Sequence, residues 1–141
     1  MNRIFPLWMV LLLVTGCFAE SGDNPTAKIQ WVYDLTEGLR LAKETGKPAM
    51  LFFTADWCGP CVELKKNAFS DKRVAKASLR LVNIYIDVDK NREALADYRV
   101  RGIPAIFFLS PGGEIVERYS GDRSAASFVK QMTAVADKHT R

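Results

Sequence analysis

Apolar and polar residues follow one another along the chain in blocks whose lengths are typical of strands and helices. Residues 49–55 (AMLFFTA) form an unbroken apolar run, which predicts a central strand that is buried on both faces. Residues 79–88 (LRLVNIYIDV) alternate between two sides and predict another strand. The other segments with a strand or helix pattern are strands over 28–33, 104–109 and 114–119, and helices over 36–45, 62–68, 72–77, 92–98 and from Ser124 onward.

The order of these elements predicts the fold class. Helical segments separate the first four strands, as in parallel crossover connections, whereas residues 110–113 (SPGG) predict a turn and therefore an antiparallel hairpin between the last two strands. Ser70 and Asp71 can cap the short third helix. The last helix carries an apolar stripe made of Phe128, Met132 and either Val135 or Ala136. We therefore predict an α/β fold with a mixed central β-sheet flanked by helices on both faces.

The N-terminus has the pattern of a targeting segment rather than of a folded element. Arg3 precedes residues 4–14, an unbroken apolar run of 11 residues. A helix that spans a bilayer needs roughly 20 apolar residues, whereas the apolar part of a signal peptide has about 7–15. The run therefore predicts a cleavable signal and not a transmembrane anchor.

The end of this apolar run, residues 13–17 (LVTGC), resembles the lipobox of bacterial lipoproteins. The resemblance implies a signal peptide over 1–16, acylation of the Cys17 sulfur, a polar tether over 17–27 and a domain over 28–141. Two or more acyl chains would hold such a protein firmly at a membrane. An ordinary signal peptide and a buried N-terminal strand stay open as alternatives.

Composition excludes several functional classes. With 141 residues, 48% of them hydrophobic, the chain can bury the core of one domain. Three cysteines and the single histidine, His139, are too few for a four-cysteine zinc site, a multi-histidine metal centre or a Ser-His-Asp triad, so we expect no metal. The 20 basic and 16 acidic residues form no basic run. We therefore expect no nucleic-acid partner, and we expect a monomer.

Two cysteines carry the candidate chemistry. Cys58 and Cys61 are separated by two residues and lie after a predicted strand, where a helix begins. This spacing brings two sulfurs within bonding distance, and a helix N-terminus lowers the pKa of the first thiol, so the pair is interpreted as a redox pair. Gly59 and Pro60 fix the turn, because proline fits a first helical turn. The alternatives are zinc ligation, for which further ligands are lacking, and an inert structural disulfide.

The motif is identical to the active-site motif of thioredoxins: residues 57–61 read WCGPC. Residues 101–104 (RGIP) resemble the cis-proline segment of that family, and Gly113 and Gly121 fall where thioredoxins carry glycines. The resemblance covers residues 29–136 and implies the thioredoxin fold.

Further segments resemble the periplasmic branch of the family, which includes the C-terminal domain of the membrane-spanning disulfide reductase. These segments are 47–48 (KP), 53–58 (FTADWC) and 69–71 (FSD).

The resemblance implies a role for each site residue. Cys58 would be the attacking thiol, Cys61 the resolving thiol, and Trp57 would shape the rim of the site. Pro104, in the cis form, would lie against the disulfide and leave the backbone of Ile103 free to pair with a bound peptide. From the residues alone, a trans proline that opens an edge strand is the alternative.

The chain also departs from the family pattern. Phe52 stands where thioredoxins carry a buried aspartate, and Tyr85 stands where a lysine often lies near that aspartate. Asp56 and Glu63 could replace the missing proton acceptor, although both are expected to be solvated surface charges. Lys65 replaces an acidic residue of the reductase-domain relatives, and a nearby cation would favour a thiolate.

Together these features predict an envelope-tethered thiol–disulfide oxidoreductase whose only redox centre is the Cys58–Cys61 disulfide, without another cofactor. The Gly-Pro dipeptide resembles that of reducing members, so a reductase of protein disulfides is expected. Its partners would be protein thiol or disulfide clients, such as apocytochrome c, and a membrane-embedded thiol electron donor.

The location would be the periplasmic side of the envelope, with the outer membrane favoured because Phe18 and not aspartate follows the acylated cysteine. The alternative is a peptide-binding or chaperone module on the same fold.

Overall fold

Five strands and five helices lie within residues 28–139, which are the residues that the computed structural model describes. The strands are β1 (Trp31–Val32), β2 (Ala49–Thr54), β3 (Val82–Asp87), β4 (Ala105–Leu109) and β5 (Ile115–Arg118). The helices are α1 (Leu35–Thr45), α2 (Gly59–Lys66), α3 (Lys72–Ser78), α4 (Arg92–Asp97) and α5 (Ala125–His139). The predicted signal peptide over 1–16 and the predicted tether over 17–27, with Cys17, lie outside the described residues.

The five strands form one mixed sheet in the order β1-β3-β2-β4-β5. β3 pairs in parallel with both β1 and β2, because helices connect these strands. β4 runs antiparallel to β2, and β5 runs antiparallel to β4 after the turn over 110–113. The predicted mixed sheet and its terminal hairpin are therefore confirmed, and β2 is the central strand, with every residue buried as its apolar run predicts.

Helices cover both faces of the sheet. On one face Ile84 of β3 packs against α1 at Gly38, where the backbone approaches so closely that an added Cβ would lie 2.4 Å from Ile84 Cδ1. On the other face the ring of Phe52 contacts Phe69, and Phe69 contacts Phe128 of α5. The predicted apolar stripe of the last helix is buried in this second layer. The arrangement of helices on both faces is as predicted.

Two strands are shorter than their apolar patterns predict. β1 comprises only Trp31 and Val32, because these two residues alone pair with β3. The alternation over 79–88 begins before β3 does: Leu79 caps the end of α3 and is exposed. Apolar residues at a helix end and at the start of the next strand thus merge into one apparent strand pattern.

The helix that follows the two cysteines is displaced from its predicted bounds of 62–68. α2 begins at Gly59, directly after Cys58, and ends at Lys66. Asp71 caps α3, because its carboxylate accepts the backbone N–H of Arg73. Ser70 does not cap this helix, since its hydroxyl donates to the carbonyl of Lys66 in α2. The other boundaries fall within one residue of those predicted.

Candidate active site

The junction between β2 and α2 places Cys58 at the edge of the sheet. After β2 ends, the backbone N–H of Cys58 donates to the carbonyl of Ala55 over 3.2 Å and closes a tight turn. Cys58 is the N-cap of α2, and Pro60 occupies the first turn of that helix, where its missing N–H costs no hydrogen bond. The predicted position of the first cysteine at a helix N-terminus is therefore confirmed.

The two sulfurs are joined. Cys58 and Cys61 form a disulfide with an S–S distance of 2.14 Å and a Cα–Cα distance of 5.2 Å. The backbone N–H of Cys61 donates to Sγ of Cys58 over 3.3 Å. Such a donor, together with the positive end of the helix dipole, favours negative charge on the Cys58 sulfur once the disulfide is reduced.

The two cysteines differ slightly in access to solvent. Cys58 is 4% exposed and Cys61 is completely buried. Gly59 and Pro60 lie exposed between them. An added Cβ on Gly59 would meet no atom within 4 Å, so the space above this turn is open to an approaching molecule. Of these two cysteines only Cys58 keeps an exposed fraction, in agreement with the order in which the two thiols would react.

Trp57 projects into solvent beside the disulfide, with 69% of its surface exposed. Its indole N–H donates to Oδ2 of Asp89 over 2.8 Å. The sequence reasoning missed Asp89. Its position two residues after the end of β3 could have indicated it. Because β2 and β3 are parallel neighbours, their carboxyl ends meet at one edge of the sheet, and residues that follow them lie close together.

The segment before β4 lies on the other side of this edge. The Ile103–Pro104 peptide bond is cis, as predicted. Ala105 pairs with Phe53 of β2, which places Pro104 next to the end of the strand that leads to Cys58. Among residues 28–139, the backbone N–H and C=O of Ile103 have no hydrogen-bond partner.

A groove of about 400 Å³ is lined by both Trp57 and Ile103. We call it the Trp57 groove. Its floor is mainly apolar, and two arginines and one aspartate stand on its walls. Its lining residues are Trp57, Val88, Asp89, Arg92, Leu95, Val100, Arg101, Gly102 and Ile103.

The position of the family's buried acid is filled by an aromatic cluster. Phe52 is completely buried, and its ring contacts those of Trp31, Phe69 and Tyr85. Asp56 and Glu63, the two candidates for replacing the acid, are both exposed, as predicted.

Lys65 has a partner that the sequence did not indicate. Its Nζ lies 3.2 Å from the hydroxyl oxygen of Tyr85 and 5.5 Å from the centre of that ring. Lys65 also lies four residues after Cys61 in α2, and residues at this spacing share one face of a helix. The cation is therefore held over the aromatic cluster, one turn beyond the resolving cysteine.

Neither a metal centre nor a membrane span is found in the described part of the chain. No group of three or more His, Cys, Asp or Glu side chains between residues 28 and 139 could hold a metal ion. Within the same residues, no helix has both the length and the apolar character needed to cross a bilayer.

Comparison with known proteins agrees with this geometry. The family described as thioredoxin-like domain matches residues 35–136. The thiol:disulfide interchange protein DsbD of Vibrio vulnificus (strain YJ016) is 34% identical over 125 residues, which cover 84% of this chain and 21% of that protein. The DsbD of Ralstonia nicotianae is 33% identical over 125 residues, covering 81% of this chain and 21% of the relative. The chain thus spans about a fifth of the length of these relatives.

Solved structures show the same architecture over the described domain. A thioredoxin from Thermus thermophilus has 30% identity and a TM-score of 0.69, covering 80% of this chain and 91% of its own. The DsbH oxidoreductase has 25% identity and a TM-score of 0.68, covering 79% of this chain and 87% of its own. A family model thus matches most of the chain, the fold agrees, and the Cys58–Cys61 disulfide lies at the start of α2. The chain belongs to the thioredoxin-like family and is similar in sequence to part of DsbD.

Proposed function

We propose that this protein is a reductase of protein disulfides that is tethered at the bacterial cell envelope. The observation that carries the proposal is the environment of the Cys58 sulfur. It lies at the N-terminus of α2, accepts the backbone N–H of Cys61 and is the more exposed of the two sulfurs. A thiolate at this position is stabilised and can be reached by a client.

The first half of the reaction is an attack by Cys58. Its thiolate attacks one sulfur of a client disulfide, a bond forms between the two sulfurs, and the other client sulfur leaves as a thiolate. The helix dipole and the Cys61 N–H favour the negative charge on the attacking sulfur. The product is a mixed disulfide between Cys58 and the client.

The second half is resolution by Cys61. After it loses its proton, its sulfur attacks the Cys58 sulfur, the Cys58–Cys61 disulfide forms, and the second client sulfur leaves and takes up a proton. Two electrons have then passed from the protein dithiol to the client disulfide. The Cα–Cα distance of 5.2 Å allows this bond to form within one turn.

A client segment would bind along the Trp57 groove. The unpaired backbone groups of Ile103 can form hydrogen bonds with an extended peptide, and the apolar floor can take a side chain next to the reacting sulfur. Pro104 and Trp57 would then flank the client disulfide. These roles of Trp57, Gly59, Pro60, Ile103 and Pro104 rest on the resemblance to thioredoxins.

The direction of electron flow and the location are part of the proposal. The Gly-Pro dipeptide and the similarity to DsbD support a reductase, which needs a membrane-embedded thiol donor to return it to the dithiol state. The lipobox-like residues 13–17 support a signal peptide over 1–16 and a lipid anchor on Cys17. The domain over 28–141 would face the periplasm, on the outer membrane.

Reduction of insulin with dithiothreitol as the electron source tests the activity. The wild-type protein is expected to accelerate precipitation of the insulin chains above the rate with dithiothreitol alone. Cys58→Ser should abolish the acceleration. Pre-reduced Cys61→Ser, mixed with insulin after dithiothreitol has been removed, should trap a mixed disulfide that is detected by mass. Equal rates for wild type and Cys58→Ser would contradict the proposal.

Membrane fractionation tests the anchor independently. The wild type is expected in the membrane fraction with acyl mass on Cys17, and Cys17→Ala is expected in a soluble or unprocessed form. Equal membrane recovery of both forms, with no acyl mass on the wild type, would contradict the tether without affecting the redox chemistry.

A peptide-binding or chaperone module is the second candidate, and the exposed Trp57 beside an apolar groove is the observation that favours it. Such a module would suppress aggregation of an unfolded, cysteine-free protein equally well in wild type and Cys58→Ser. A reductase without holding activity would fail to suppress it in either form.

A further inference from the structure

We propose that Arg92 and Arg101 make the Trp57 groove selective for client segments that carry an acidic side chain near the reactive cysteine. The inference rests on the proposed function, since it names the clients that this site prefers. It concerns the charge of the groove walls and not the exchange chemistry itself.

The two arginines stand on the walls of one groove. Arg92 is the first residue of α4, and Leu95, three residues later on the same helix face, belongs to the apolar floor. Arg101 precedes Gly102 and Ile103, so it adjoins the backbone that would pair with a client. A peptide lying on Ile103 would therefore lie in the groove that both arginines line.

Neither arginine has an acidic partner within the protein. Both side chains are exposed, and among residues 28–139 no hydrogen bond or ion pair involves either guanidinium. The one acidic side chain in the lining, that of Asp89, accepts the indole N–H of Trp57. The arginines bring two positive charges to the lining and Asp89 brings one negative charge, so the groove keeps a net positive charge beside its apolar floor.

This arrangement favours a carboxylate on the client. A guanidinium presents several N–H donors in the geometry that a carboxylate accepts, and charge complementarity both speeds encounter and fixes orientation. Exposed ion pairs are weak, so the two arginines together are expected to change the rate by a factor of about three. A basic client segment would be disfavoured by a similar factor.

The test compares three peptide disulfides that differ in one residue. Each is a homodimer of a capped peptide with a central cysteine, a leucine on one side and glutamate, glutamine or lysine on the other. The pre-reduced full-length protein, in neutral detergent, reacts with each peptide in a single turnover. Each rate is divided by the rate at which 2-mercaptoethanol reduces the same peptide. This division is needed because the charge next to the cysteine also alters the intrinsic reactivity of the peptide disulfide.

The normalised rate is expected to be about threefold higher for the glutamate peptide than for the glutamine peptide, and lowest for the lysine peptide. Added salt should bring the three rates together, because exposed charges are screened. The ratio should fall in R92Q and in R101Q and approach one in the double variant. The matched control is R123Q, which removes an exposed arginine outside the groove and should keep the wild-type ratio.

A binding measurement separates this inference from the proposed function. The Cys58→Ser variant is titrated with peptides in which serine replaces cysteine, and Trp57 fluorescence reports their affinities. The inference is supported if the glutamate peptide binds more tightly than the other two and if R92Q and R101Q abolish this difference in affinity. That result supports it even if no disulfide is reduced. Equal affinities and equal normalised rates for the three peptides would overturn it, even if a neutral disulfide such as 4,4′-dithiodipyridine is reduced well.

Discussion

Phe52 and Tyr85 face each other across β2 and β3, with ring centroids 5.7 Å apart and ring planes nearly perpendicular at 84°. An edge-to-face aromatic contact therefore occupies the place where the family pattern has a buried acid. In the family pattern, a buried carboxylate near the thiols would disfavour a thiolate by repulsion between like charges. Its absence should lower the thiolate pKa, stabilise the dithiol form and make the disulfide more oxidising.

The substitution Phe52→Asp tests this consequence. It should make the Cys58–Cys61 couple more reducing, by about 30 mV for each unit by which the thiol pKa rises. The potential is measured by equilibration with glutathione buffers and thiol trapping. Phe52→Asn is the matched control, because it leaves the same cavity and a polar group without the charge. An equal shift in both variants, or no shift in either, would refute the electrostatic explanation.

The difference in access between the two cysteines predicts the order of alkylation. After reduction, iodoacetamide near neutral pH should label Cys58 first, because its sulfur lies at the surface end of α2 and Cys61 is completely buried. Mass mapping of the peptides after short exposure gives the order. If Cys61 were labelled first, the roles of attacking and resolving thiol would have to be exchanged.

Gly38 predicts an unusual effect of alanine within a helix. Glycine to alanine in a helix interior is normally stabilising by about 1 kcal/mol. Here the new Cβ would lie 2.4 Å from Ile84 Cδ1 and 2.5 Å from its Cγ1, and Ile84 is completely buried. Gly38→Ala is therefore expected to lower the free energy of unfolding by about 1–3 kcal/mol, as overpacking does.

A double-mutant cycle is the control for this steric explanation. Ile84→Ala removes the atoms that clash, so Gly38→Ala should be neutral or stabilising in that background. Denaturant unfolding of the four proteins gives the coupling between the two positions. Additive effects would show that the loss has another origin.

Asp71 predicts one component of the acid sensitivity of the fold. Hydrogen bonds from the Arg73 side chain and then from the Arg73 backbone N–H lower the pKa of Asp71 from 3.8 to about 2. A lowered pKa in the folded state means that the charged carboxylate stabilises the fold above the unfolded value, and that this stabilisation is lost as the pH falls through the folded value.

Asp71→Asn keeps an oxygen that can cap α3 but removes the charge. The variant should unfold at a lower temperature than the wild type at about pH 5, and the two melting temperatures should converge as the pH approaches about 2. Thermal unfolding followed by circular dichroism across this range checks the expectation. A difference that stayed constant with pH would mean that the charge of Asp71 does not contribute.

The features that local patterns encode were predictable. The apolar run over 49–55 indicates a buried central strand because no solvent-facing position interrupts it, and the spacing of Cys58 and Cys61 indicates the redox turn because it is a local geometry. The cis form of Pro104 follows from the resemblance of residues 101–104 to the family segment. A proline taken alone indicates the more common trans form.

The features that depend on contacts between distant residues were not predictable. The hydrogen bond between Trp57 and Asp89 spans 32 residues, and that between Lys65 and Tyr85 spans 20. Neither partner is marked by periodicity. Leu79 is the converse case, since its apolar side chain continues the alternating pattern of β3 although the residue ends α3.

The most direct test of the central claim is the reduction potential of the Cys58–Cys61 couple in the wild-type protein. A disulfide reductase whose helix N-terminus stabilises the thiolate, and which lacks the buried acid, should have a potential somewhat less negative than the value of about −270 mV for thioredoxin. The potential should still lie clearly below the value of about −120 mV for the strong oxidant DsbA. Equilibration with glutathione buffers of known potential, read by thiol trapping, gives the number. A potential between the two reference values and closer to thioredoxin is the predicted result, and a potential at the oxidant end would contradict the assignment as a reductase.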